Sequence, residues 1–331
     1  MLSKEEVERR VAGSYEVPNN VVHSMPTPIV SVRTSVYNHA PYIRECIESV
    51  LMQETDFPFE YIIGEDFSTD GSREIVMEYA EKYPHIIRVL TADQNVGGKA
   101  NGVRCIRSCR GKYIAICEGD DCWTDPGKLK RQVALLEENG SVIMSAENAV
   151  VTSRSDRYTF SRRKSGFVST REIVRFRQFA TASIVHRNGP LCEFGITSRF
   201  FYGDAPLSIK ASLLGNVHYS AIQSSIYRRH EGGVTALIQG SFRIAKQHMK
   251  YTDDLETLVG HRFLRTFNFR RACVYYDLSR HMHSLHKLRS AKVCAAKARS
   301  FDCLIGLKYW FKLQFKRVKR RIGVPRSFSE G

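Results

Sequence analysis

Ala115-Ile116-Cys117-Glu118-Gly119-Asp120-Asp121-Cys122-Trp123 is where this chain declares itself: an apolar run beginning at Tyr113 stops abruptly at three carboxylates. A strand that delivers acids to its carboxyl end is the simplest reading. Glu118 and Asp120 are two apart, so an extended backbone would point both to one side, and Gly119 between them lets a ligand or another segment come close. Two oxygen ligands on one side suit Mg²⁺ or Mn²⁺, ions that commonly keep part of their shell for a substrate's phosphates. The same acids could instead form a solvated turn, with Asp120 and Asp121 capping the helix that follows.

Upstream, the pattern recurs. Val30 to Val36 is rich in β-branched residues and is followed by Tyr37-Asn38-His39-Ala40-Pro41, a turn. Ile43, Ile47, Val50 and Leu51 then share one helical face. A second unit runs from Phe59 through Gly64-Glu65-Asp66-Phe67-Ser68-Thr69-Asp70-Gly71 into a helix, with Asp70 placed to cap it. A third strand, Ile86 to Leu90, reaches Asn95-Val96-Gly97-Gly98 and a helix over roughly 99–109. Strand and helix in this alternation predict a mostly parallel sheet covered on both faces, with ligands beyond the carboxyl ends of its strands. Those ends carry Asn38, Asp66, Asn95, Glu118 and Asp120.

Downstream, a helix with Leu129, Val133 and Leu136 closes the first half, and Val142 to Val151 reads as another strand. Residues 153–169 read as a polar, Arg-rich, mobile loop. A second half to about residue 235 contains a short helix, an apolar run at 182–185, Phe200-Phe201-Tyr202-Gly203-Asp204, a helix through Leu214, and a run from Ile222 to Arg229 that ends at His230. From Gly240 the pattern is helical.

The 331 residues, 43% of them hydrophobic, can bury a large core. The N-terminal stretch lacks an apolar run, and the chain has none of the roughly 20 residues that a membrane helix needs, which predicts a cytoplasmic protein. Nine scattered cysteines without CxxC spacing read as small buried hydrophobes. The formal charge of +16 is concentrated: from His281 onward there are 13 Lys and Arg against 2 acids, so no specific nucleic-acid partner is expected for the main body. Two nucleotide motifs are absent. A P-loop ending at Gly98-Lys99 would need glycine where Asp93 stands, and no GxGxxG follows the first strand.

The ordered series Val30-Ser31-Val32 with Tyr37-Asn38, Glu65 to Gly71, Asn95 to Gly98 with Asn101, and Glu118 to Pro126 with Lys128-Leu129 resembles a family 2 glycosyltransferase of the GT-A fold over roughly residues 28 to 235. The resemblance implies an α/β, Rossmann-like, mostly parallel sheet with a nucleotide-binding half (28–140) and an acceptor-binding half (141–235), flanked by an N-terminal extension (1–27) and a helical C-terminal region (236–331). It implies a nucleotide-sugar site, UDP-sugar favoured, lined by Ser35, Tyr37, Asn38, Asp66, Asn95, Lys99, Glu118 and Gly119, with Asp66 reading the base. Glu118 and Asp120 match the family's DxD motif and, with His230, would hold Mn²⁺ or Mg²⁺ against the diphosphate; this chain has Glu where Asp is usual. Asp204 matches the catalytic base of an inverting displacement. Trp123 would stack on the acceptor, a glycan or lipid-linked glycan, or pack beneath the turn. Two other classes remain: a sugar-phosphate nucleotidyltransferase, which would make pyrophosphate, and a basic membrane or nucleic-acid adaptor, in which Asp120→Ala would be silent.

Beyond the resemblance, Leu304, Ile305, Leu307, Trp310, Phe311, Leu313, Phe315 and Val318 alternate with Lys308, Lys312 and a cluster from Lys316 to Arg321. A basic amphipathic helix of this kind can lie on an anionic membrane, each basic residue contributing about 1 kcal/mol near the surface, or pack on the protein by its apolar side. Flotation decides between them: the full chain is expected to rise with anionic vesicles at physiological salt and a chain ending at Cys303 to stay behind, whereas no flotation by the full chain removes the membrane reading.

Overall fold

The computed structural model describes residues 3–19, 21, 27–189, 191, 203–233 and 242–302. Chain contacts divide it into two compact units, 1–237 and 238–331.

The first unit is built on one sheet in the order β1-β4-β3-β2-β5-β10-β7-β11-β6. β2 (Val30–Val36), β3 (Phe59–Glu65), β4 (Ile87–Ala92) and β5 (Tyr113–Ile116) are mutually parallel, as the sequence pattern predicts. They alternate with α2 (Ala40–Leu51), α3 (Ser72–Lys82) and α4 (Gly98–Arg107). α5 (Lys128–Glu138) follows the two-residue strand β6 (Cys122–Trp123). β7 (Val142–Thr152) and β11 (Asn216–Arg228) pair in parallel, and β10 (Ile184–Arg187) joins the halves by running antiparallel to both β5 and β7. α6 (Thr170–Arg175) opens with a capping box from Ser169 and Glu172, and α7 (Asp204–Leu214) precedes β11.

Three segments differ from the sequence-based expectation. Residues 153–169 carry two short strands, β8 (Arg157–Thr159) on β7 and β9 (Gly166–Phe167) on β11, so they are pinned by backbone pairing. The N-terminal extension forms α1 (Lys4–Ala12), in keeping with the weak helical spacing of Val7 and Val11, and packs Val7 with Val96, Ala100 and Val103; the departure is β1 (Ser14–Glu16), a strand antiparallel to β4. Asp70 accepts from the Ser72 amide at 3.0 Å and the Ala40 amide at 2.9 Å, so one carboxylate ties the starts of α2 and α3 together while Gly71 occupies the cap position.

The two faces of the sheet differ in chemistry. On one, Val30, Val32, Val36, Tyr61, Ile63, Tyr113 and Ala115 form the main apolar core with Ile43, Ile47, Val76 and Leu129 from the helices. On the other, Glu60 is 2% exposed and gathers Ser31 Oγ (2.6 Å), the Arg110 amide and Nε (2.8 and 2.9 Å) and Arg88 Nη1 (3.1 Å); Arg88 also pairs with Glu16 of β1 at 2.7 Å.

In the second unit, α9 (Leu264–Ser284) and α10 (Leu288–Phe301) pack Leu278 and Met282 against Ala291 and Cys294, with Ala245 of α8 (Phe242–Val259). Among the described residues no helix is long and apolar enough to cross a membrane. The basic amphipathic stretch 304–321 lies outside the described residues.

Removing one member of a buried ion network leaves the rest uncompensated, at a cost of about 3–5 kcal/mol. Glu60→Ala is therefore expected to lower unfolding free energy by that order in urea titrations; a change below about 1 kcal/mol, the worth of an exposed pair, would show that the network contributes no more than surface charges do.

Candidate active site

The acidic stretch is held in a turn. The ladder from β2 continues past β5, with the Cys117 amide donating to Arg33 O (3.1 Å) and the Gly119 amide to Ser35 O (3.1 Å). The Asp121 amide then donates to Glu118 O at 2.9 Å, closing a turn over Gly119 and Asp120. The backbone is thus turned rather than extended at this point, so a spacing of two does not by itself set Glu118 and Asp120 on one side. A Cβ on Gly119 would lie 2.7 Å from His39 Nδ1 and 3.0 Å from Ser35 O, so the close approach requires glycine.

After the turn, β6 pairs antiparallel with β11 (Cys122 with Ile226, Trp123 with Ser225), and this register gives each carboxylate a different fate. Asp121 is buried and accepts from the Arg228 amide at 2.9 Å; burial, reinforced by Asp120, pushes its carboxyl well above the usual range. Asp120 lies with its Oδ2 3.1 Å from His230 Nε2. Burial acts to raise it, but the His230 hydrogen bond and the charges of His39 and His230 prevail and hold the Asp120 carboxyl below its ordinary value. Glu118 is engaged by Arg33, its Oε1 lying 3.4 Å from Nη1.

The sequence proposes Glu118, Asp120 and His230 as three metal ligands. The structure assembles Asp120 and His230, while among the described residues no group of three His, Cys, Asp or Glu side chains gathers as a metal site. One carboxylate oxygen beside one imidazole nitrogen is a donor set that Mn²⁺ accepts more readily than Mg²⁺.

Arg228 supports the turn. Its Nη1 donates to Asp120 O (3.0 Å), its Nη2 meets Glu45 Oε2 (2.5 Å), and its guanidinium lies 5.6 Å from the centre of the Tyr42 ring. Tyr42 in turn lies 4.7 Å from the His230 ring. His39 is largely buried beside Asp120, Glu118 and His230, and burial lowers its pKa. The signal available was position: His39, Tyr42 and Glu45 cluster at the start of the helix that follows the first strand end.

The residues expected on the donor side lie at the same strand ends. Asn38 adopts a left-handed conformation (φ 55°) and links two loops, its Oδ1 accepting from the Thr69 amide at 2.9 Å. Tyr37 is exposed, Ser35 lies beneath Gly119, and Lys99 stands in the first turn of α4. Asp66 is tied into the backbone at the strand end where it was expected. It is 1% exposed, both its oxygens accept from backbone amides (Val96, 2.7 Å; Gly97, 3.0 Å), and burial raises its pKa. In this arrangement it shapes the 95–98 turn, with Asn95 Nδ2 on its carbonyl at 3.0 Å, and is nearly closed to solvent.

Asp204 begins α7, with Oδ2 2.8 Å from Arg177 Nε and Oδ1 accepting from the Ala205 amide at 2.8 Å. Arg177 stands over Phe160 and Tyr227, 5.5 and 5.0 Å from their centroids; Tyr227 directly precedes Arg228. Phe200-Phe201-Tyr202 lie outside the described residues.

The family model for glycosyl transferase family 2 matches residues 31–199, just over half of the chain. The chain belongs to glycosyl transferase family 2. An uncharacterized protein of Mycobacterium tuberculosis is 32% identical over 210 residues, 62% of this chain and 60% of that protein, so the chain spans under two thirds of that relative's length. The putative teichuronic acid biosynthesis glycosyltransferase TuaG of Bacillus subtilis is 36% identical over 111 residues, covering 34% of this chain and 43% of TuaG. Among solved structures, S. aureus TarS 1-349 in complex with UDP-GlcNAc superposes with a TM-score of 0.56 at 17% identity, covering 91% of this chain and 93% of that one. The mannosyltransferase PcManGT from Pyrobaculum calidifontis, in complex with GDP-Man and Mn²⁺, superposes at 0.54 with 16% identity, covering 94% and 87%. At these identities the likeness speaks for the fold, GT-A, as the sequence pattern predicts.

In this family 2 chain Trp123 is not an acceptor platform. The side chain is 2% exposed, Nε1 donates to Ala182 O at 2.7 Å, and Lys128 Nζ stands 4.5 Å from the ring centre. The antiparallel pairing of β6 turns the indole into the core, where it anchors the turn from below. Trp123→Ala is accordingly expected to destabilise by about 3–5 kcal/mol, as loss of a core aromatic does. A stacking role would instead leave the melting temperature unchanged and weaken only acceptor saturation.

Proposed function

We propose that this protein transfers a sugar, with inversion, from a nucleotide sugar to a hydroxyl of a glycan or lipid-linked glycan acceptor in cell-surface polysaccharide synthesis. The observation that supports this best is the Asp120–His230 contact: residues 110 apart in sequence meet at 3.1 Å beside the strand ends where an open α/β sheet binds ligands, in a family 2 chain. UDP-sugar is the donor to test first, since TarS is described with UDP-GlcNAc and the acidic turn lies in the part of the chain that the family model matches. Residues 28–140 form the donor-binding half in this reading and 141–235 the acceptor-binding half.

Asp120 and His230 are the residues that would hold Mn²⁺ or Mg²⁺, with Glu118 kept on Arg33 nearby. Such an ion supplies positive charge to the departing nucleoside diphosphate. The chain's own part in the chemistry falls to Asp204. Its carboxylate takes the proton of the acceptor hydroxyl as that oxygen bonds to the anomeric carbon and the bond to the diphosphate breaks. Arg177, 2.8 Å from Asp204, fixes the carboxylate's orientation, and the Phe160 and Tyr227 rings fix Arg177. A cytoplasmic position at a membrane face, reached through the basic segment after Asp302, would bring a lipid-linked acceptor within range.

Melting curves with UDP, GDP, CMP and ATP, each with and without Mn²⁺, test the reading. A ligand at a hundred times its dissociation constant stabilises by about 2.7 kcal/mol. One nucleoside diphosphate is expected to give such a shift with Mn²⁺ in the wild type and in Asp204→Asn but not in Asp120→Ala, with sugar transfer lost in both variants. No shift with any nucleotide overturns the proposal; unimpaired transfer by Asp204→Asn overturns the assignment of the base.

A further inference from the structure

We propose that Arg33 is a positioning residue that holds Glu118 away from the Asp120–His230 pair, so that the bound cation keeps room for the donor's diphosphate; this rests on the reading of that pair as the cation site. Arg33 occupies the middle of β2 and is 6% exposed. Arginine does not shed its charge in proteins, and a buried guanidinium is costly unless well paired. Arg33 is poorly paired. Its Nη1 reaches Glu118 Oε1 at 3.4 Å and Ser35 Oγ at 3.5 Å, and its Nε is buried without a hydrogen-bond partner. Glu118 is thus the carboxylate in hydrogen-bonding reach of a buried, otherwise under-satisfied cation, and it answers from a side chain still 29% exposed.

This pairing accounts for the glutamate at a position where the family resemblance leads one to expect aspartate. An aspartate would be shorter by one carbon–carbon bond, about 1.5 Å, and from the same turn it would fall short of Arg33. It also accounts for the missing third ligand: the turn closed by the Asp121 amide sends the Glu118 side chain toward β2 and Asp120 toward His230. A divalent ion held by one carboxylate and one imidazole retains positions and net charge for phosphate oxygens. A second carboxylate in the shell would hold the ion more tightly while repelling the diphosphate.

Releasing Glu118 should therefore tighten the ion and weaken the nucleotide, opposite signs that a merely structural role would not produce. Arg33→Met exchanges a buried charge for an apolar side chain, a change that is often tolerated. The full-length protein is titrated with Mn²⁺ alone, read by electron paramagnetic resonance, and with UDP at saturating Mn²⁺, read by calorimetry. Arg33→Met is expected to lower the Mn²⁺ dissociation constant about tenfold, the size of effect that outer-shell partners exert, and to weaken UDP. Arg33→Met/Glu118→Gln should return Mn²⁺ affinity to the wild-type value, and Arg33→Lys should fall between. Glu118→Asp, which leaves Arg33 in place and changes only the reach of the turn, tests the same idea should Arg33→Met fold poorly, and it too should tighten Mn²⁺. Unchanged or weaker Mn²⁺ binding in a folded Arg33→Met or in Glu118→Asp overturns the role of Arg33 while leaving the cation site intact. Failure of the wild type to bind Mn²⁺ and UDP overturns the site and, with it, this inference.

Discussion

Everything in the candidate site depends on a pairing of two residues. Cys122 and Trp123 form an antiparallel bridge to Ile226 and Ser225 near the far end of β11, and that register decides what the acidic turn meets. It presents the Arg228 amide to Asp121 and, two residues on, His230 to Asp120. A shift of one residue would turn the Trp123 indole out of the core and carry Asp121 off its amide donor, since alternate side chains of a strand face opposite ways. Trp123 therefore fixes register as well as filling volume. The turn is further determined by Gly119 on Ser35 and by the Asp121 amide on Glu118, leaving it little freedom to rearrange.

Within this frame two neighbouring carboxyls acquire opposite character. Asp121 has its charge disfavoured by burial, and its visible work is to receive one backbone amide. Asp120 is kept ionised by the imidazoles around it. Adjacent groups whose environments drive their pKa values apart are suited to different jobs: Asp121 is tied to the backbone, while Asp120 keeps its charge beside His230. Arg228 links them, since its main chain serves Asp121 while its side chain serves the Asp120 carbonyl, Glu45 and Tyr42.

Much of this was legible in the sequence, and the exceptions share a cause. The strands β2 to β5 and the helices between them follow from local alternation of β-branched runs and helical stripes, and the strand ends that gather Asn38, Asn95, Glu118 and Asp120 follow from the parallel topology. What periodicity does not encode is which distant segment a short strand will choose. Nothing about Cys122-Trp123 announces β11, so Trp123 could be read as a platform for sugar when it is the floor of the turn. Asp66 illustrates the same limit: the residue type and strand-end position fit a ligand, but the Val96 and Gly97 amides, thirty residues later, reach it first. Arg33 and Arg177 were invisible for a related reason. A buried arginine inside an apolar strand and an arginine in a polar loop differ from surface charges only through partners supplied by the fold.

The sheet's two faces show why such charges are tolerated. Val30, Val32 and Val36 look into the apolar core, whereas Ser31, Arg33 and Ser35 of the same strand look toward Glu60, Glu118 and the carboxyl-end cleft. Burying Glu60 and Arg33 has a desolvation cost that a wholly apolar strand would avoid. In exchange, a slip of β2 by one residue would drive an arginine into the hydrocarbon core and strand Glu60 without Ser31, so the alternative registers are penalised far more heavily than the native one. The alternation of Ser31, Arg33 and Ser35 thus runs from the Glu60 network at the start of β2 to the acidic turn at its end.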